Sequence, residues 1–197
     1  MSNFTIQQYV QTFYRDSSHS YEVKKLSLML FDEINNQLKE LPNKLRKLLE
    51  TAAILHDIGY NINSKNHNKH SFSLIMKNGI KGFDDSETTL VAHIARYHRG
   101  ALPNKIKHKE YSLLKRKERK IVKKLAAILR ICDGLDRAHM QLIKSIKTEY
   151  DESNNILTIF LKSNIIERTP DISAAIKKKD LFEKAFNVQV VFKFLPY

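Results

Sequence analysis

The chain has 197 residues, 42% of them hydrophobic and 28% charged, with 34 Lys and Arg against 21 Asp and Glu, for a formal net charge of +13. That length suits one domain, or one domain with a small appendage, able to bury roughly 70% of the surface its unfolded form exposes, and the composition is globular rather than disordered. The single Cys132 excludes a disulfide framework or a multi-cysteine zinc ribbon, no apolar run approaches the roughly 18 residues of a membrane span, and the N-terminus lacks the pattern of a signal peptide, so a cytoplasmic protein with an affinity for anions is expected.

Val23, Leu26, Leu30, Ile34 and Leu38, joined by Phe31, recur at spacings of three and four and predict a long helix opening near His19, after the cap-forming Asp16, Ser17 and Ser18. A second helix is predicted from Pro42, with Leu45, Leu48, Leu49, Ala52, Ala53 and Leu55 buried and Gly59 as its terminator. The Asn-rich stretch 61–68 predicts a loop, and a short helix from about His70 to Lys77 follows, stopped at Asn78 and Gly79. Asp84, Asp85 and Ser86 cap a helix that reaches about His98 and ends at Gly100. A long basic helix is predicted from about Leu113 to His139, with Ile121, Leu125, Ala126, Ile128, Leu129 and Leu135 inward. Beyond residue 140 the pattern changes: a hairpin of 143–150 and 156–163, a helix over about 172–185 and a strand over 188–194. The expected fold is mainly α, a helical domain over 1–140 with a small C-terminal β-β-α-β appendage over 141–197.

Ten Lys and Arg crowd residues 105–124, against only Glu110 and Glu118, and Lys177, Lys178 and Lys179 form a second basic patch. Such charge speaks to anion attraction rather than to fold, and most of it reads as a solvated helix face. Nucleic acid is the obvious partner for such a surface, yet neither a zinc-finger spacing nor an aromatic-rich RNA-binding signature is present, and a phosphate-bearing small molecule or polyphosphate explains the charge equally well.

Among eight histidines, the pair His56-Asp57 stands where the second helix ends, walled by Leu55, Ile58 and Gly59. His19, His70 and His98 lie at predicted helix starts and ends, where side chains converge. Asp133 falls on an apolar helix stripe, where a carboxylate is expensive unless paired, protonated or bound to a metal. Imidazole with carboxylate and no thiolate cluster suits manganese, iron, zinc or magnesium. The plainer alternatives are a helix-end hydrogen bond for His56 and Asp57, an exposed His19, and an Asp133 paired with Arg130 or Arg137. His67, His108 and His139 read as surface or structural, and Cys132 as a core thiol. Arg99, beside His98, and Lys69, beside His70, are the candidates for phosphate oxygens.

His19, His56-Asp57 and Asp133 follow the H…HD…D order of HD-domain metal-dependent phosphohydrolases. The stretches LLETAAILHDIGYNIN, HNKHSFSLIMKNGIKGF, ARYHRGALP, LAAILRICDGLDRAH and DLFEKAFNVQVVFKF resemble the C-terminal HD domain of the exopolyphosphatase and guanosine pentaphosphate phosphatase family. The resemblance implies an HD-domain helical bundle binding one or two divalent metal ions. His19, His56, Asp57 and Asp133 would hold the first, and His70 and His98 the second with Asp57 bridging. It implies hydrolysis of a phosphoester or phosphoanhydride in a nucleotide or polyphosphate-type substrate, with Asp57, Lys69 and Arg99 at the reacting group. Because these proteins often pair, a homodimer is expected. The family's paired actin-like domains, which carry its phosphate-releasing site, precede this region, and the chain is expected to lack them. The alternative is a non-catalytic module that binds a polyanion or nucleotide, alone or beside an actin-like phosphatase subunit.

Overall fold

The computed structural model describes residues 3–38, 41–164 and 169–196. Its first helix, α1 (Ile6–Phe13), opens on a capping box in which Thr5 Oγ1 accepts from the Gln8 N–H and the Gln8 amide oxygen accepts from the Thr5 N–H. The long α2 (Ser18–Leu38) follows, its first N–H held by Asp16 Oδ1 at 2.8 Å and its apolar stripe of Val23, Leu26, Leu30 and Ile34 fully buried. α3 (Lys44–Leu55) starts two residues after Pro42 and buries the predicted leucines and alanines.

α4 (His67–Asn78) begins three residues before the predicted start. A 3-10 turn, Ser64–Asn66, leads into it, set by the Asn63 side chain accepting from the Lys65 N–H at 3.0 Å. Its end at Gly79, with φ of +64°, is the one the sequence predicts. Gly59 does not terminate α3 through a left-handed turn. A Cβ there would lie 2.4 Å from the His67 carbonyl oxygen and 2.5 Å from the Ser71 nitrogen, so glycine is required for the close approach of α4. Ser71 Oγ closes the contact, donating to the His56 carbonyl at 2.6 Å and accepting from the Gly59 N–H at 3.0 Å.

α5 (Asp85–Arg96) has its capping box on Asp84 and Glu87. A separate single turn, α6 (Lys109–Ser112), precedes the predicted long basic helix, which is α7 (Arg116–Leu135), shorter than predicted at both ends. The break comes at Lys115, which is extended and whose N–H donates to Glu118 Oε2 at 2.6 Å. Lys115, Arg116, Lys117, Lys120 and Lys123 face solvent, while Val122 and residues 125–135 are buried.

β1 (Ile143–Asp151) and β2 (Ile156–Ser163) form the predicted antiparallel hairpin, with Tyr150 opposite Leu157. β1 is tied to α2 through Glu33, which accepts from the Thr148 N–H at 2.9 Å and from Lys147 at 2.8 Å. The predicted helix near 172–185 is divided at Lys179 into α8 (Ser173–Lys178) and α9 (Asp180–Phe186). The final strand, β3 (Gln189–Phe194), runs parallel to β2, giving the order β1-β2-β3. Parallel pairing requires a crossover, and α8 and α9 provide it while packing back on α7. One apolar cluster runs from Tyr9 to Val190 through helices and sheet. The fold is mainly α, with nine α-helices and one three-stranded sheet among the described residues. None of the described helices is long and apolar enough to cross a membrane.

Candidate metal centre

Four histidines reach one buried point from four helix ends. His19 sits in the first turn of α2, His56 directly follows α3, His67 opens α4 and His98 lies two residues past α5. Each ring is anchored through Nδ1: His19 to Asp136 Oδ2 at 2.8 Å, His56 to the Ala53 carbonyl at 2.7 Å, His67 to the Ser64 carbonyl at 2.8 Å, and His98 to the Ala95 carbonyl at 2.7 Å. These oxygens only accept, so every Nδ1 carries a proton and every Nε2 is the nitrogen left to take a proton or a cation.

The Nε2 atoms converge on two carboxylates. Asp133 Oδ1 lies 3.4 Å from His19 Nε2 and 3.7 Å from His56 Nε2. Asp57 Oδ2 lies 3.5 Å from His56 Nε2, and Asp57 Oδ1 lies 3.0 Å from His67 Nε2 and 3.5 Å from His98 Nε2. His67 Nε2 and His98 Nε2 are 3.1 Å apart, two acceptors that only a proton or a cation can join. His56 Nε2 and Asp57 Oδ1 are buried with no hydrogen-bond partner: despite its short distance, no N–H points at Oδ1 with bonding geometry. Buried polar atoms are rarely left unsatisfied, so these two mark where a cation fits. His19, His56 and Asp133 form one triplet and His56, Asp57 and His98 another, each with ligand atoms within 4.8 Å of one another. Nitrogen and carboxylate donors in this number suit small divalent ions of the manganese, iron and zinc type.

The charges are balanced by proximity. Burial opposes a charge on His19, but hydrogen bonds to Asp133 and Asp136 outweigh it and lift its pKa to about 9. Burial likewise opposes His56, and Asp57 and Asp133 raise it. Burial alone would raise Asp57, yet His56, His67 and His98 hold it well below the usual carboxylate range. Asp133 is held low in the same way, against its burial, by His19, His56 and Lys178. Burial and the His56 charge depress His98 to about 3, leaving its Nε2 lone pair open.

A cavity of about 440 Å³ opens above the cluster, with Tyr60, Lys65, Arg99, Arg137, His139 and Lys178 around it. A second cavity of about 420 Å³ adjoins it and shares His19, Asp57, Tyr60 and His139.

Of the residues singled out from sequence, His19, His56, Asp57, His98 and Asp133 are brought together and Arg99 lines the cavity. His70 is not among them: its Cβ packs beside Gly59, and His67 takes the place at the cluster. Lys69 is exposed on α4 and does not line the cavity. Both differences go with the earlier start of α4, which puts His67, rather than His70, at the helix end that meets the cluster. Arg130 is not the partner of Asp133, because Arg130 Nη1 donates to the Tyr97 and Gly100 carbonyls at 3.1 and 3.3 Å and Lys178 pairs with Asp133 instead.

Sequence reasoning missed Asp136, read His67 and His139 as surface or structural although His67 is buried in the cluster, and placed Lys178 only in the basic patch Lys177 to Lys179. Asp136 stands three residues after Asp133, a spacing that shares a helix face and could have flagged it. His139 stacks on His19 with ring centroids 3.9 Å apart and planes 6° from parallel, and carries a left-handed φ of 56°. Nothing local separates Lys178 from Lys177 and Lys179. Cys132 is a fully buried core thiol, its pKa pushed up to about 12 by burial.

A family model described as Ppx/GppA phosphatase, domain III, matches residues 2–180. The chain is also similar to proteins named guanosine-5'-triphosphate,3'-diphosphate pyrophosphatase. Identity is 31% over 103 residues for that of Pseudoalteromonas translucida, 32% over 94 for Vibrio vulnificus and 25% over 127 for Pseudoalteromonas atlantica. These alignments take in 50%, 47% and 64% of this chain, but only 20%, 19% and 24% of those proteins.

Proposed function

The chain belongs to the Ppx/GppA phosphatase family, as its domain III, and from that premise we propose that it is a metal-dependent phosphohydrolase with an HD-type site. One observation carries the reading: four rings anchored at Nδ1 turn their Nε2 atoms on two shared carboxylates, leaving His56 Nε2 and Asp57 Oδ1 buried and unpartnered. A structural histidine needs a satisfied hydrogen bond, and packing alone gives no reason to face acceptor against acceptor.

His19, His56, Asp57 and Asp133 would hold one divalent cation, and His67 and His98, sharing Asp57, a second. Bound there, such ions supply Lewis acidity, lowering the pKa of a bound water toward about 7 and stabilising charge on a transferring phosphoryl group. The protein's own part is orientation and charge. Asp136 keeps the proton on His19 Nδ1, and the carbonyls of Ala53, Ser64 and Ala95 do the same for the other rings. Arg99, Lys65 and Arg137 line the cavity that receives the phosphates, with guanidinium groups suited to bidentate contact. The relatives' names point to the phosphoanhydride bonds of a nucleoside polyphosphate as the substrate, with inorganic polyphosphate the comparison to run beside it.

The test is metal content by elemental analysis of chain purified without chelator, before and after loading with manganese or iron. One or two ions per chain, lost in His56→Ala together with phosphate release from nucleoside polyphosphates, is the expected result. No metal under any loading condition would overturn the proposal.

A further inference from the structure

Lys178 stands at the end of α8, far in sequence from the histidines, yet its ammonium pairs with Asp133 in the floor of the cavity. Two adjacent residues of α7 meet two residues one turn apart on α8. Gly134 lets the helices approach until a Cβ on it would lie 2.6 Å from both Cα and N of Ala175. Three residues on, on the same face, Lys178 meets Asp133. The carboxylate is thereby divided: Oδ1 faces His19 and His56, and Oδ2 is held by Lys178.

We propose that Lys178 is a phosphate-binding residue of this site, supplied by the C-terminal tail and parked on Asp133 until a cation and a phosphate group enter. The inference rests on the phosphohydrolase reading above and deepens it. An ammonium has three donors, and Asp133 occupies one, so two remain for phosphate oxygens. A cation on Oδ1 withdraws charge from Asp133 and weakens its hold on the ammonium, while an arriving phosphate offers stronger charge-assisted acceptors. The same proximity means that Lys178 opposes the entering cation by like-charge repulsion. Lys178 therefore has two effects of opposite sign, whereas a merely structural ion pair would support both binding events or neither. Lys177, the neighbouring residue, is exposed and outside the cavity, so it carries the same formal charge without the position.

The experiment compares the full chain with Lys178→Met, Lys178→Arg and Lys177→Met by calorimetry, titrating Mn2+ alone and then inorganic phosphate into the Mn2+-loaded protein. For Lys178→Met we expect Mn2+ affinity to rise several-fold and phosphate affinity to fall on the order of ten- to a hundredfold. Lys178→Arg should restore phosphate binding to within about threefold of the parent, and Lys177→Met should change neither titration. Circular dichroism melts establish that each variant is folded, and Lys178→Gln, which keeps a polar side chain without the charge and has the same two expected outcomes, carries the test if Lys178→Met is not. Phosphate affinity unchanged in Lys178→Met, or Mn2+ and phosphate affinity falling together, would overturn the proposal. If the parent chain takes up no Mn2+, the metal reading fails separately, and the phosphate titration of the metal-free proteins decides the role of Lys178.

Discussion

Asp136 accepts the Nδ1 proton of His19 through Oδ2 at 2.8 Å, while its Oδ1 accepts the backbone N–H of Gln141, also at 2.8 Å. One carboxylate therefore fixes the ring of a candidate ligand and a loop in which His139 and Gln141 both adopt left-handed backbone, at φ of 56° and 54°. Such conformations persist only where surrounding contacts over-determine them, and here they hold His139 stacked against His19.

Replacing Asp136 by Asn keeps the shape and removes the charge that fixes the His19 tautomer. Partners of this kind are worth about ten- to a hundredfold in metal affinity. Asp136→Asn should lower Mn2+ affinity by that range with little change in the circular dichroism spectrum. An unchanged Mn2+ titration would mean that His19 is oriented without it.

His67 and His70 offer a sharper contrast because they lie on one helix three residues apart. His67→Ala should reduce the number of Mn2+ ions held per chain, since it removes the nitrogen 3.0 Å from Asp57 Oδ1. His70→Ala should leave the number unchanged. Equal losses from both variants would contradict the geometry.

The same pair shows where sequence reading succeeds and fails. The helices that carry or lead into His19, His56 and Asp133 have strong apolar periodicity, so the faces that bring these side chains together can be read directly. His67 could not be, because its helix follows directly on a 3-10 turn capped by Asn63, within a run of polar residues that reads equally as loop. The α1 helix is hard to read for a similar reason: it is a short segment whose start lies in the reciprocal Thr5–Gln8 contacts. Lys178 depends on the crossover of α8 onto α7, a tertiary event that leaves no mark in local pattern.

His93 titrates apart from the cluster. It is buried against Phe72, Tyr97 and Tyr111, and burial, followed by the charge of Arg96, depresses its pKa from 6.5 to about 4. Between those values the unfolded chain binds the proton and the folded chain does not, so the His93 contribution is full above about pH 6.5 and is lost as pH falls toward 4. A shift of this size corresponds to about 3 kcal/mol. Urea denaturation of the parent chain and His93→Phe across pH 4.5–7.5 should show a stability difference that changes in favour of the variant as pH falls. A constant difference would place the titration elsewhere.

Gly134→Ala probes the joint between tail and helical core. The added Cβ would meet the Cα and N of Ala175, which are backbone atoms of a packed helix and cannot swing aside as a flexible side chain would. Relief requires α8 to move off α7, and overpacking of this kind costs about 1–3 kcal/mol, read as a lower urea midpoint. The second variant, Gly134→Ala with Ala175→Gly, separates this account from a simple side-chain clash. Removing the Ala175 methyl leaves its Cα and N in place, so the double variant should be no more stable than the single one. Recovery of the parent midpoint would show that the methyl, and not the helix backbone, sets the distance between α7 and α8.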